Sequence, residues 1–212
     1  MGGSSWKDGE RQIAKVLKEL WNVEFYRSES SGGLATSRQK TLPKSVVDAL
    51  TGDVICDPFD PALDKEIGWP FSVEVKTRHD NIDVFDVCRR GKKSEIADWW
   101  DQCCRDSKRV NKLPLLFMKK VGGKGWYVGL DSIFLINLAA LLQVDEIKND
   151  LLNSCFSIQF YIAHQTRLMM SVIKLDNFTA IGRPKIEEAV RMFVQTENGY
   201  NITHTKTFFR KE

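Results

Sequence analysis

Residues 71 to 78, Phe-Ser-Val-Glu-Val-Lys-Thr-Arg, alternate apolar and polar side chains through Lys76, and only a strand sends every second side chain to the same face. Two stretches of a different period bracket it. Trp6, Ile13, Ala14, Leu17, Leu20 and Trp21 recur at about 100° per residue, and so do Ile96, Trp100, Cys103, Ser107 and Val110 behind a capping Ser94, so helices are expected over 6–21 and 94–111. A period of two set between two helical periods demands an α/β arrangement.

Further strands are expected at 23–27, at 52–58, entered through Gly52 and ended by Pro58, and at 113–119 and 125–130 around the Gly122-Gly123 turn. Asp131 or Ser132 should cap an apolar helix running to about Leu142. Beyond residue 145, strands at 156–163 and 168–175 and a last helix opened by Pro184 complete the expectation. The tail, Thr203 to Glu212, is basic.

A chain of 212 residues, 42% hydrophobic and 28% charged, is long enough to bury its own core and has no run of roughly 18 apolar residues that could cross a membrane. Met1 to Ser5 lacks the basic patch and apolar run of a secretory signal. Five cysteines, none in a Cys-x-x-Cys pair, read as reduced thiols of an intracellular, cytoplasmic protein rather than as a zinc site or disulfide framework. Three scattered histidines leave little material for a Ser-His-Asp triad, so any metal should be held by carboxylates.

Net charge is only +3, so the distribution of charge says more than its sum. Arg89, Arg90, Lys92 and Lys93 form a tight basic run, Arg38, Lys40 and Lys44 a looser one, and Lys119, Lys120 and Lys124 surround a glycine turn. Each run could be a solvated surface or a phosphate contact.

Chemistry concentrates on the polar face of the strand 71–78, where Glu74 and Lys76 project together. Asp53, from a neighbouring strand, would put a second carboxylate beside them, a hard oxygen-rich site suited to Mg²⁺, with Mn²⁺ as its substitute. Phosphodiester hydrolysis needs such a site: charge builds on the attacked phosphate, and a cation can stabilise it while activating water. Lys76 could position or deprotonate that water, or neutralise the developing charge. Arg78, on the same face, is a phosphate-contact candidate. Asp57, Asp60 and Asp64 sit in a proline-bounded loop and are ranked as loop-solvating residues. Glu10 falls inside the apolar arc of the first helix, where a carboxylate is costly unless paired or bound to a cation; a half-exposed helix-start glutamate is the alternative. Gln102, on the flank of the second helix with Trp99, Asp106 and Arg109, could orient a water or phosphate, or simply be surface.

Gly52-Asp53-Val54-Ile55, then 20 intervening residues, then Val73-Glu74-Val75-Lys76-Thr77-Arg78 resembles the motif of the PD-(D/E)xK nucleases. The glutamate-bearing first helix, the Ser28-to-Ser31 loop and the Gln102-bearing helix resemble in particular the archaeal and phage Holliday junction resolvases of that superfamily. The resemblance covers roughly residues 6 to 130 and implies a restriction-endonuclease-like αβββαβ core, a mixed central sheet flanked by helices. In that core Asp53 and Glu74 bind the metal, Glu10 supports the metal site, Lys76 assists the water, and a serine of the loop, Ser30 or Ser31, approaches the scissile phosphate. Gly52 stands where the motif has proline, and residues 131 to 212 have no clear counterpart.

The chain is accordingly expected to be a Mg²⁺-dependent DNA endonuclease. Residues 1–130 would form the nuclease core, and 131–212 an α+β extension packed on it as a possible dimerisation region. A resolvase acting on branched DNA as a homodimer, a restriction- or repair-type nuclease acting on duplex or ends, and a non-catalytic nucleic-acid-binding protein remain as functions, the retained Asp53, Glu74 and Lys76 speaking against the last. Gln102 joins Glu10, Asp53, Glu74 and Lys76 as a candidate catalytic residue, and Arg78 joins Arg89, Arg90, Lys92, Lys93, Ser30 and Ser31 as candidate DNA contacts.

Overall fold

The computed structural model describes residues 6–28, 51–78, 94–120, 124–142, 156–162 and 166–195. Its elements in chain order are α1 (Trp6–Trp21), β1 (Phe25–Arg27), β2 (Val54–Cys56), β3 (Phe71–Arg78), α2 (Glu95–Arg109), β4 (Leu113–Lys120), β5 (Tyr127–Asp131), α3 (Ser132–Leu141), β6 (Phe156–Ile162), β7 (Thr166–Lys174), α4 (Leu175–Ile181) and α5 (Arg183–Gln195). The first six follow the expected αβββαβ order. One seven-stranded sheet runs β1-β2-β3-β4-β5-β7-β6. Only β3 and β4 are parallel, joined across α2; every other neighbouring pair is antiparallel.

Local chemistry explains the element ends. Asn22 takes a left-handed φ of 54° and donates its N–H back to Lys18 O at 2.8 Å, stopping α1 after Trp21. Ser94 Oγ accepts from Ala97 N at 3.4 Å to open α2, and Asp131 accepts from Ile133 N and Phe134 N at 2.8 and 3.2 Å to open α3. Several strand bounds differ from the expectation: β1, β2 and β5 begin at Phe25, Val54 and Tyr127 rather than at 23, 52 and 125. The strand placed at 168–175 spans Thr166–Lys174, and Leu175 instead begins α4. That short helix escapes sequence reading because its N-cap, Lys174, makes no side-chain cap bond.

The sheet has two dissimilar faces. Phe71, Val73 and Val75 of β3, with Leu115, Phe117, Val128, Leu130 and Ile173, pack against α1, α3, α4 and α5 in the main core. Aromatic edge contacts run through it from Trp21 to Trp69 (5.1 Å between ring centroids), Trp69 to Phe71 (5.4 Å), Phe71 to Phe134 (5.7 Å) and Phe134 to Phe193 (6.1 Å). First helix, central strand and last helix therefore share one apolar interior. The opposite face, Leu116, Met118, Met170 and Val172, carries α2 through Ile96, Ala97, Trp100, Cys103 and Cys104. Ser72, Glu74, Lys76 and Arg78 of β3 alternate with Phe71, Val73 and Val75 and point to this second face.

Arg183 ties the chain's end to its beginning. Its guanidinium donates to Trp21 O at 2.6 Å, to Ala62 O at 2.5 Å and to Glu187 Oε1 at 2.7 Å, satisfying a carbonyl at the end of α1 that the helix itself leaves open. Arg191 adds an ion pair to Asp64 at 2.5 Å.

Candidate active site

Register alone brings two acids together. Val54 pairs with Val73 in the antiparallel β2–β3 ladder, so the preceding residue, Asp53, lies opposite Glu74 with both side chains on the α2 face. Three hydrogen bonds fix Asp53: its N–H donates to Val73 O at 2.8 Å, its O accepts from Ser28 N at 2.9 Å, and its Oδ2 accepts from Val75 N at 2.8 Å. Gly52 makes this approach possible. Its φ is +111°, and a Cβ there would stand 2.9 Å from Val73 O and 3.1 Å from Val73 N. Neither proline, with φ locked near −65°, nor any residue with a β-carbon fits this backbone.

Both acids are buried, Asp53 at 6% and Glu74 at 5% exposure. Burial, then the neighbouring Asp53, pushes the Glu74 carboxyl up to about 7. Burial likewise raises Asp53, against the opposing pull of the Val75 N–H and Lys76. Burial raises both carboxyls and the charge of Asp53 raises Glu74 further, so the pair favours holding a proton over carrying two bare charges. A cation can replace that proton. Lys76 Nζ lies 3.0 Å from Glu74 Oε2; burial opposes its charge, but the attraction of Glu74 prevails and holds its pKa above the ordinary lysine value. In this arrangement Lys76 is an ammonium, a donor rather than a base.

Glu10 is placed differently. It is buried at 3% exposure, and its Oε2 accepts from Arg27 Nε at 2.6 Å. Arg27 pairs with Val54, whose side chain belongs to the α1 face, so this ion pair occupies the side of the sheet opposite Glu74. Burial, then the charge of Asp53, raises the Glu10 pKa; the two sites feel each other without merging. Among the described residues no three His, Cys, Asp or Glu side chains gather closely enough to hold one ion.

On α2, Gln102 is half-buried. One turn further on stands Asp106, whose charge reaches both Asp53 and Glu74. Sequence reasoning gave Arg27 and Asp106 no role. Asp106 could have been found, since it falls four residues after Gln102 on the same helix face; a 17-residue ion pair such as Arg27–Glu10 leaves no spacing signal. Arg78 bonds to Glu95 and lies over the Trp99 ring, 5.7 Å from its centroid. Asp57, Asp60 and Asp64 accept from backbone N–H groups two residues on, at 2.9, 2.8 and 2.8 Å, as loop-forming acids do. Ser30, Ser31, Arg89, Arg90, Lys92 and Lys93 lie outside the described residues.

A mixed sheet built in αβββαβ order, with an acid at the start of β2 and Glu-x-Lys on β3, is the restriction-endonuclease-like fold of a nuclease. The chain belongs to the family described as "phage putative PDDEXK endonuclease", which matches residues 4–188. It is also similar to Protein D14 of Escherichia phage T5, with 31% identity over 129 residues, covering 59% of this chain and 68% of that protein. No solved structure gives a significant match. Membership makes the chain a nuclease of a superfamily that works with divalent metals on DNA. No helix among the described residues is long and apolar enough to cross a membrane.

Proposed function

We propose that this nuclease is a Mg²⁺-dependent endonuclease that resolves branched DNA, acting as a homodimer. The observation that carries the chemistry is Asp53 opposite Glu74 with Lys76 Nζ 3.0 Å from the glutamate. A pair, rather than a cage, of carboxylates suits Mg²⁺, which keeps several waters and is usually held by one or two carboxylates together with substrate phosphates. Asp53 and Glu74 would hold the ion; Mn²⁺ is its natural substitute. Bound there, it would supply charge neutralisation at the phosphate and water activation. Lys76 donates from its ammonium to the attacking water or to a phosphate oxygen. Glu10, fixed by Arg27, supports the field around Asp53 from the other face. Gln102 orients water from α2, while Arg78, the 89–93 basic run, Ser30 and Ser31 contact the DNA backbone.

Specificity for branches is supported by the glutamate-bearing first helix, by Ser28 in line with Asp53 and Glu74, and by Gln102. Two symmetric cuts require two sites related by a twofold axis. Exposed Ile136 on α3, at 62% exposure, marks an apolar helix for that contact. The test is cleavage of a synthetic four-way junction against linear duplex of the same arms in Mg²⁺, with light scattering of the free and junction-bound protein. At least tenfold preference for the junction and a dimeric mass are expected. Equal or better cutting of linear duplex by a strict monomer points instead to restriction- or repair-type action.

A further inference from the structure

The glycine-turn lysines fall into a pattern once the strand register is known. Lys76 pairs with Met118, Met118 with Tyr127, and Tyr127 with Lys174, in one row across β3, β4, β5 and β7. One step further toward the same end of the sheet, Arg78 pairs with Lys120. Residues in register share a face, and here it is the face of α2, because Met118, Met170 and Val172 all pack against that helix. Lys120 and Lys174 are exposed and Tyr127 is half-buried. None of the described residues 118–120, 124–128 and 172–174 at these strand ends is acidic, while at the β3 end Lys76 pairs with Glu74 and Arg78 with Glu95. A cationic rim with an aromatic side chain set in it therefore begins at Lys76, beside the carboxylate pair, and ends at Lys174.

We propose that this rim, Lys76, Arg78, Lys120 and Lys174 with Tyr127 between them, is a backbone track that holds the DNA strand on one side of the cut. The inference rests on the nuclease function and adds where the strand runs. Four adjacent strands span about 14 Å at ~4.8 Å per step; because a duplex strand winds around its axis while rising ~3.4 Å per nucleotide, that span joins phosphates about two nucleotides apart. Lys174 thus serves a phosphate about two nucleotides from the bond that is cut, and Lys120 one nearer to it. The charge is arranged for a polyanion with regular spacing, and Tyr127 offers a ring to a sugar or a base edge.

The test uses Asp53→Asn to bind without cutting, compared with the same variant carrying Lys120→Ala, Lys174→Ala, or both, on fluorescent branched and linear DNA over a range of salt. Each alanine should flatten the log–log salt dependence of binding by about 0.9, the share of one phosphate contact. Lys174→Arg should keep the slope of the parent. The effect of Lys174→Ala should vanish when the DNA is trimmed to fewer than about two nucleotides on one side of the cut and persist when only the other side is trimmed. Unchanged slopes in both alanine variants, with thermal melts like the parent's, overturn the track while leaving the nuclease standing; so does a loss indifferent to trimming on either side. A wild-type chain that neither binds nor cuts any DNA overturns the nuclease function itself, and the track with it.

Discussion

Gly52 and Asp53 show how closely backbone and chemistry are joined in this chain. With φ at +111° and Val73 O 2.9 Å from where a β-carbon would stand, Gly52→Ala must both strain the backbone and push β2 off β3. A loss of about 1–3 kcal/mol is expected from the strained backbone alone, read as a lower urea midpoint with unchanged slope. Cleavage should fall further than stability does, because the Asp53 N–H and Oδ2 bonds to β3 move with the backbone. The acids and the lysine themselves contribute through charge. Asp53→Asn, Glu74→Gln and Lys76→Ala should each lower the cleavage rate by about 10²- to 10³-fold or more while DNA binding by the two acid variants stays within a few-fold, and normal cutting by any of the three would remove that residue from the mechanism. EDTA should abolish cutting and Mg²⁺ or Mn²⁺ restore it. Mn²⁺ should also raise the melting temperature of the wild type, since a ligand of the native state alone stabilises it, and should leave Glu74→Gln nearly unmoved.

Elements were legible in the sequence wherever one periodicity ran long enough. α1, α2 and β3 carry their inward residues at regular spacing, and Glu74 with Lys76 could be placed on one face from alternation alone. The pairing of Asp53 with Glu74 was legible as a nearby acid, while its register, one residue before Val54 and opposite Glu74, needed the ladder. α4 was hidden because Leu175, the first residue of the helix, continues the apolar run of β7 and has no capping side chain before it. Glu10 stood out as an acid inside an apolar arc, and burial decides between its two readings, yet its partner Arg27 comes from a three-residue strand whose sequence, Phe-Tyr-Arg, has too little length to show which face it presents. α3 offers an element-level test. It is apolar around its whole circumference, so amphipathicity does not orient it and its cap must. Asp131→Ala should cost about 0.5–2 kcal/mol, measured by chemical denaturation, and Asp131→Asn should recover most of that loss by restoring the acceptor. An alanine variant as stable as the wild type would show that packing against α5 suffices.

Across the whole molecule, the residues after Asp131 complete the same interior that the first helix begins. Phe134 touches Phe71 on one side and Phe193 on the other, and is 1% exposed. Phe134→Ala is expected to lose about 3–5 kcal/mol, and the intact chain should melt in one cooperative transition. A chain ending at Asp131 should show no such transition, its sheet face being left bare; a folded, sharply melting fragment would mark residues 1–131 as an independent unit. The bond from Arg183 to Trp21 O bridges 162 positions, and contacts of that separation form slowly. During synthesis, at ~5–20 residues per second, the roughly one hundred residues between β3 and Arg183 take about 5 to 20 seconds to follow. Through that interval the emerging chain carries its acids but not the helices that close the core behind them. Cutting is therefore expected only after Arg183 and the helix it begins have left the ribosome.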